Sequence, residues 1–429
     1  MLKSLNFSMN KMFFFFFFDE HQHYLLGDGR IGDIIFALKQ KYDTEDLSTI
    51  SASEKLDYLC GSLNFSHAEF DDMIASNSPV MRTVKGHAFE VAMEYIYKKN
   101  GISIKDVGGD GDVDHIVNGH TIQLKTPNMA GTTATMIEYK THKTHGAKSE
   151  NESMDYYHDI DSFAEYFMGL ISYQPLRVFI IPKQHLERHP LNRRYIKSPF
   201  KVSTSKTQYI NNFQELGIKL NLNKDADIAP SQNELLPKTS RAIGLKSEII
   251  IDTILREENF RIWDMSIRGF AREIALKRFL DSQKVKYVGN PATIRPERGD
   301  KSDIAIKLKN GKYTFVQVKG VSTNNCTFQG IDSVLATETQ LTRGRVNDHP
   351  TQSRLYLATD FDYLMLCLDP AISYKSGLGE DWFFAMIPSS ELRRHGDYPR
   401  RYSSMQHFSS RKLAQYELTP VRINQIIAG

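Results

Sequence analysis

Gly111-Asp112-Val113-Asp114-His115-Ile116-Val117-Asn118-Gly119-His120-Thr121-Ile122-Gln123-Leu124-Lys125 is the stretch whose reading decides the fold. Asn118-Gly119 between two β-prone runs is a strong signal for a two-residue hairpin turn. With that turn Val117 pairs with His120, and Asp114 falls opposite Gln123. The two-residue period of a strand then sets Gln123 and Lys125 on one face and Ile122 and Leu124 on the other. Asp112, Asp114, Gln123 and Lys125 are expected to share a face.

The same order of residues recurs further on. Gly86-His-Ala-Phe-Glu90-Val-Ala92 precedes the first hairpin, and Gly269-Phe-Ala-Arg-Glu273-Ile-Ala275 lies 183 residues later. Gly299-Asp300-Lys-Ser-Asp303 and Asn310-Gly311 then lead to Gln317-Val318-Lys319. A strict two-residue turn at Asn310-Gly311 sets Asp303 opposite Val318, on the wrong face. The second copy therefore requires a three-residue turn or a bulge near Asp303, a frequent device beside active sites. Ile181-Pro182, Leu186, Arg188 and His189 recur 206 residues later as Ile387-Pro388, Leu392, Arg394 and His395. With one inserted residue, Arg193-Arg194-Tyr195 matches Arg400-Arg401-Tyr402. Two copies are too few for a solenoid and read as a duplicated domain.

Copy one opens with a helix, because Phe89, Ala92, Met93 and Ile96 form one apolar stripe with Glu90 at its edge. Residues 1–80 read as a largely helical N-terminal region. Ser53 to Leu59 is its clearest helix, and Ser66 caps another over His67 to Ala75. Residues 81–214 form copy one and 263–429 form copy two. Between them, 215–262 reads as a linker and helix: Asn221 to Asn233 is polar and turn-rich, and Lys246 to Glu258 is helical.

At 429 residues, with 41% apolar and 24% charged residues, the chain has the composition of a folded globular protein. A net charge of +3 excludes a polycation, so any nucleic-acid surface must come from local clustering. Its three cysteines are scattered, which argues against a disulfide framework or a cysteine zinc site and fits a cytoplasmic protein. The run Phe13 to Phe18 is far shorter than the ~18 apolar residues of a membrane span. Asp19-Glu20-His21 follows it in place of a small-residue cleavage site. The run reads as a buried strand or a terminal segment of little structural consequence. No membrane association is expected. His142 and His145 read as surface residues of a polar loop. Gly108-Gly109-Asp110-Gly111 lacks the Gly-Lys-Ser/Thr ending of a nucleotide-binding loop.

An aspartate opening a strand, a Gln-x-Lys on the next, and a glutamate on the preceding helix supply what phosphodiester cleavage needs. Oxygen ligands hold a divalent metal, and a lysine orients water or offsets phosphate charge. This constellation resembles the PD-(D/E)XK nuclease superfamily, to which most type II restriction endonucleases belong. The resemblance covers both copies, with Gln in place of the usual Glu in each. It implies an α/β fold of two tandem restriction-endonuclease-like domains, each a mixed sheet flanked by helices. It implies metal acids at Asp114 or Asp112 and at Asp303, Gln-x-Lys elements at Gln123/Lys125 and Gln317/Lys319, and helix glutamates Glu90 and Glu273. Mg²⁺, with Mn²⁺ as an alternative, is the implied cofactor and double-stranded DNA the implied partner.

A basic segment follows the Ile-Pro strand end in both copies. Arg188, Arg193 and Arg194 in the first, and Arg394, Arg400 and Arg401 in the second, are the candidate phosphate contacts. The expectation is a Mg²⁺-dependent deoxyribonuclease, a type II restriction enzyme acting as monomer or homodimer, with a methyltransferase as genetic partner. The alternatives are a repair, junction or homing nuclease, or a DNA-binding protein whose sites have decayed.

Overall fold

A computed structural model describes residues 29–107, 111–141, 157–222, 226–298, 301–340 and 355–428. Phe13–Phe18, Gly108–Asp110, His142, His145, Lys224, Gly299 and Asp300 lie outside the described residues. The protein is mixed α/β, and its chain divides into two compact units. One comprises residues 74–262; the other joins residues up to 73 with 263–429. The N-terminal helices thus belong to the same unit as the second copy.

Three helices lead the chain: α1 (Ile31–Tyr42), α2 (Ala52–Gly61) and α3 (His67–Ser76). Ser51 and Glu54 form a capping box on α2. Ser66 and Glu69 repeat the exchange on α3, Glu69 N–H donating to Ser66 Oγ at 3.3 Å and Ser66 N–H to Glu69 Oε2 at 2.8 Å.

In the unit spanning 74–262, α4 (Ser78–Lys99) starts at an Asn77 cap and buries Val84, Ala88, Phe89, Ala92, Met93 and Ile96. After it come β1 (Ile104–Asp106), β2 (His115–Val117), β3 (His120–Lys125), β4 (Met136–Tyr139), β5 (Tyr166–Tyr173), β6 (Leu176–Pro182) and β7 (Phe200–Ser203). The main sheet runs β1-β2-β3-β5-β6, and β4 pairs with β7 in a second, two-stranded sheet. Strands β3 and β5 are parallel and the other main-sheet neighbours antiparallel. Tyr139, Phe167, Phe179, Phe200 and Val202 fill the core cluster that includes the two-stranded sheet.

The stretch expected as linker is part of this unit. Helices α5 (Pro237–Ile243) and α6 (Ser247–Leu255) follow β7, and α6 packs on α4. Ile249, Ile250, Ile251 and Ile254 are at most 1% exposed. Its apolar run, not its polar beginning, determines its place, at about 1.5–3 kcal/mol for each fully buried Ile.

The other unit repeats the pattern. Helix α7 (Arg268–Ser282) precedes β8 (Tyr287–Val288), β9 (Ile304–Lys307), β10 (Tyr313–Lys319), β11 (Val334–Glu338) and β12 (Tyr363–Leu368). Then come α8 (Pro370–Lys375), β13 (Phe383–Pro388), β14 (Met405–Ser409), α9 (Ser410–Gln415) and α10 (Pro420–Ala428). Its main sheet runs β8-β9-β10-β12-β13, the same strand order, and β11 pairs with β14. Strands β10 and β12 are the parallel pair. Strand β12, flanked by β10 and β13, is apolar on both faces: Met365 and Cys367 join the core beneath α7, while Leu364, Leu366 and Leu368 join the cluster containing Leu335 and Phe408. A strand covered on both sides reads as a continuous apolar run for this reason.

The basic segments also fold alike. Arg188 bridges Ile196, and Arg394 bridges Tyr402. His189 N–H donates to Tyr195 O at 2.8 Å, and His395 N–H to Arg401 O at 2.9 Å. Leu191 N–H donates to His189 Nδ1, and Asp397 N–H to His395 Nδ1. The 206-residue offset therefore holds through the whole loop. Arg194 corresponds to Arg400 and Tyr195 to Arg401, which corrects the match with an inserted residue expected from side-chain identity alone.

Candidate active sites

The first hairpin has the expected register. Asn118 and Gly119 have φ of 50° and 86°, the left-handed pair a two-residue turn of this type demands. Val117 pairs with His120 and His115 with Ile122; Asp114 N–H donates to Ile122 O at 2.9 Å. Asp114 then sits across from Gln123. Its Oδ2 accepts from Gln123 Nε2 at 2.6 Å and from Leu124 N–H at 2.6 Å. Lys125 Nζ stands 3.9 Å from the same oxygen, with 30% of its side chain exposed.

Burial dominates the electrostatics here. It pushes the Glu90 carboxyl up, to about 7, and the Asp114 charge adds to the rise, while Lys125 and Arg256 oppose it. Burial also raises Asp114, against the pull of Lys125 and its two hydrogen bonds. His87 lies one helical turn before Glu90. Burial lowers its pKa, and the charges of Lys125 and Arg256 lower it further. Arg256 pairs with Glu94 and sits 3.0 Å from Asp106. His87 and Arg256 were not singled out in the sequence. The i−3 spacing to Glu90 could have flagged His87, but nothing local flags Arg256.

Asp112 is engaged by a different set of residues. Its carboxylate accepts from Ser162 Oγ at 2.6 Å and pairs with His158 Nδ1 at 2.5 Å. It ties the turn before β2 to the segment before β5. Strand alternation does not extend to Asp112, because it precedes β2.

The second hairpin makes its register with a three-residue turn. Leu308 N–H donates to Lys312 O, Gly311 N–H donates to Leu308 O, and Gly311 has φ of 84°. Tyr313 pairs with Lys307 and Val316 with Ile304; Asp303 N–H donates to Val316 O at 3.0 Å. Asp303 is thereby opposite Gln317. Its Oδ2 accepts from Gln317 Nε2 and from Val318 N–H, the latter at 2.8 Å. The aspartate, glutamine and strand N–H make the same pair of bonds in both units.

The lysines differ. Lys319 Nζ donates to Gln340 O at 3.3 Å and lies 5.5 Å from the centre of the Tyr356 ring. Burial lowers its pKa. Burial raises Glu273, with Asp303 adding to the rise, and Glu273 pairs with Lys277 at 3.6 Å. Beside this site Arg268 lies buried against Asp369 (2.5 Å) and Asp264 (3.2 Å). The Arg272 guanidinium occupies the space where any Cβ at Gly320 would fall, 2.1 Å from its Cζ. Burial, then the Arg268 charge, lowers Arg272 to about 10.

The basic loops divide by contact. Arg193 and Arg400 are exposed. Arg194 pairs with Asp159 at 2.5 Å, and Arg401 Nη1 donates to Leu355 O at 2.6 Å. The Arg394 guanidinium lies 4.5 Å from the centre of the Tyr402 ring. Arg188 and Arg394 each bury Nη1 without a hydrogen-bond partner among the described residues.

Comparison with protein-family models, curated proteins and solved structures gave no match. Among the described residues no group of three His, Cys, Asp or Glu side chains converges on a metal position. No helix among the described residues is long and apolar enough to cross a membrane.

Proposed function

We propose that the protein is a Mg²⁺-dependent DNA endonuclease of the PD-(D/E)XK kind, built from two restriction-endonuclease-like units and acting as a type II restriction enzyme. The observation that carries this reading is the recurrence, at one register in two units, of an aspartate bonded through Oδ2 to a Gln-x-Lys strand.

In the 74–262 unit the oxygen donors fit a hard cation. Glu90 and Asp114 offer carboxylates, and Gln123 Oε1 is a buried acceptor with no hydrogen-bond partner among the described residues. Asp106, the nearby third carboxylate, is held by Arg256, so that amide oxygen is the further protein ligand for Mg²⁺ or Mn²⁺. A bound ion offsets phosphate charge and lowers the pKa of water. Gln123 and the Leu124 N–H fix the Asp114 carboxylate through Oδ2. Lys125, partly exposed beside it, is placed to donate to a phosphate oxygen or to orient water. Arg193 and Arg400 on the loops, exposed and without an ion pair among the described residues, are cations for backbone phosphates.

The test is incubation of the full chain with unmodified plasmid and phage DNA, with Mg²⁺ or with EDTA. Discrete fragments only with Mg²⁺ are expected. Nicks or smears point to a repair-type nuclease, and mobility shifts without cutting to a DNA-binding protein. Neither cutting nor binding removes the proposal, and cutting that persists in EDTA removes its metal dependence. A methyltransferase that protects the same DNA is the expected genetic partner.

A further inference from the structure

The two constellations share their aspartate geometry but differ in how their remaining charges are satisfied. In the first, Glu90 makes no ion pair or hydrogen bond among the described residues, although burial raises its carboxyl. Helix position 94, one turn on, is Glu94, which is taken by Arg256 and Lys98. In the second, the equivalent position is Lys277, and it pairs with Glu273 at 3.6 Å. The first lysine faces its aspartate at 3.9 Å. The second donates to the Gln340 carbonyl beneath Tyr356.

Counting formal charges, Arg256 and Asp106 offset one another beside Glu90, and Lys125 offsets one of the two acids Glu90 and Asp114, leaving one negative charge. Of the charges that act on Glu273 and Asp303 themselves, Lys277 and Lys319 balance the two acids, and Glu338 acts on Lys319 alone. Unbalanced negative charge in a poorly hydrated site favours a cation, and a balanced site does not. The orphan acceptor adds a second, independent sign. Gln123 is 1% exposed, and its Nε2 is anchored on Asp114, so Oε1 lies at the same end of the side chain without a donor. Rotating the amide does not cure this, because Oε1 would then face the Asp114 carboxylate. A metal ion satisfies such an oxygen.

Building on the nuclease reading, we propose that the sites are unequal: Glu90, Asp114 and Gln123 hold the divalent ion, and the Glu273/Asp303/Gln317/Lys319 site holds none. One chain then breaks one DNA strand, and a double-strand break takes two chains.

Calorimetric titration of the full chain with Mn²⁺ tests this without relying on catalysis. Wild-type protein is expected to bind one equivalent. Glu90→Gln and Asp114→Asn lose it, and Asp303→Asn and Lys319→Gln keep it. Glu90→Gln breaks no observed hydrogen bond, and Lys319→Gln leaves both Asp303 bonds in place, so each pair of variants includes one that preserves the fold. Far-UV circular dichroism in EDTA confirms folding. Two equivalents in the wild type, or an equivalent lost with Asp303 or Lys319 but kept without Glu90, overturns the inequality and leaves the nuclease reading standing. No equivalent in folded wild-type protein overturns both.

Discussion

Gln123 and Glu90 each occupy an unusual position: one a buried amide half-satisfied, the other a buried acid without an ionic partner among the described residues. Gln123→Glu replaces an N–H donor 2.6 Å from Asp114 with a second carboxylate. Loss of a hydrogen bond to a charged group costs about 1.5–3 kcal/mol, so the variant is expected to melt lower in EDTA. Mn²⁺ should restore part of that loss, and a melt unmoved by either change contradicts the placement. Glu90 gives a pH prediction. Its carboxyl rises from the model-peptide 4.5 to about 7 on folding. The folded state therefore favours the protonated form, and stability falls as pH rises from about 4.5 through about 7. In EDTA, Glu90→Gln should raise the melting temperature at pH 8 and leave it unchanged at pH 4. A stabilisation as large at pH 4 as at pH 8 contradicts the assignment.

At the scale of elements, turn length governs the site. Both hairpins must bring the aspartate opposite glutamine, and a shift of one residue sends every side chain to the opposite face. The first hairpin does this with two turn residues and the second with three. Gly311, at φ 84°, is the residue that closes the longer turn; Gly311→Val should cost about 1–2 kcal/mol through left-handed strain, read as a lower urea midpoint. The basic loops carry a separable prediction. Arg193 and Arg400 are exposed and make no ion pair among the described residues, whereas Arg401 holds Leu355 O. Arg193→Ala should weaken DNA binding evenly across sequences and flatten its salt dependence by about one unit of slope. Arg401→Ala should lower stability first. Equal effects of both on thermal stability contradict this division.

At the scale of the molecule, the second copy is completed by the N-terminal helices. Trp263 Nε1 donates to Gly29 O, and its ring packs near Phe70. Trp382 Nε1 donates to Leu63 O, with Phe65 beside it. A chain of residues 263–429 without 29–73 would bare the apolar faces of both indoles to water and lose both N–H bonds. It should bind an apolar dye and melt without a sharp transition, while residues 74–262 melt cooperatively. A sharp, dye-free melt of the 263–429 fragment would show that the helices are dispensable.

The sequence determined the local pieces: the helix over Ser53 to Leu59, the Ser66 cap, the Asn118-Gly119 turn, the pairing of Asp114 with Gln123, and the need for a longer second turn or a bulge. Each rests on neighbours in the chain, where steric preference and strand alternation act directly. Tertiary structure decided the rest. It drew Asp112 to His158 and Ser162, 215–262 into the first unit and the N-terminal helices onto the second copy. It also paired Glu273 with Lys277 but gave Glu90 no ionic partner among the described residues. These outcomes depend on partners from distant segments and on burial, which fixes the cost of leaving a charge or an amide unsatisfied. A motif repeated twice in sequence therefore emerged with one skeleton and two different electrostatic environments.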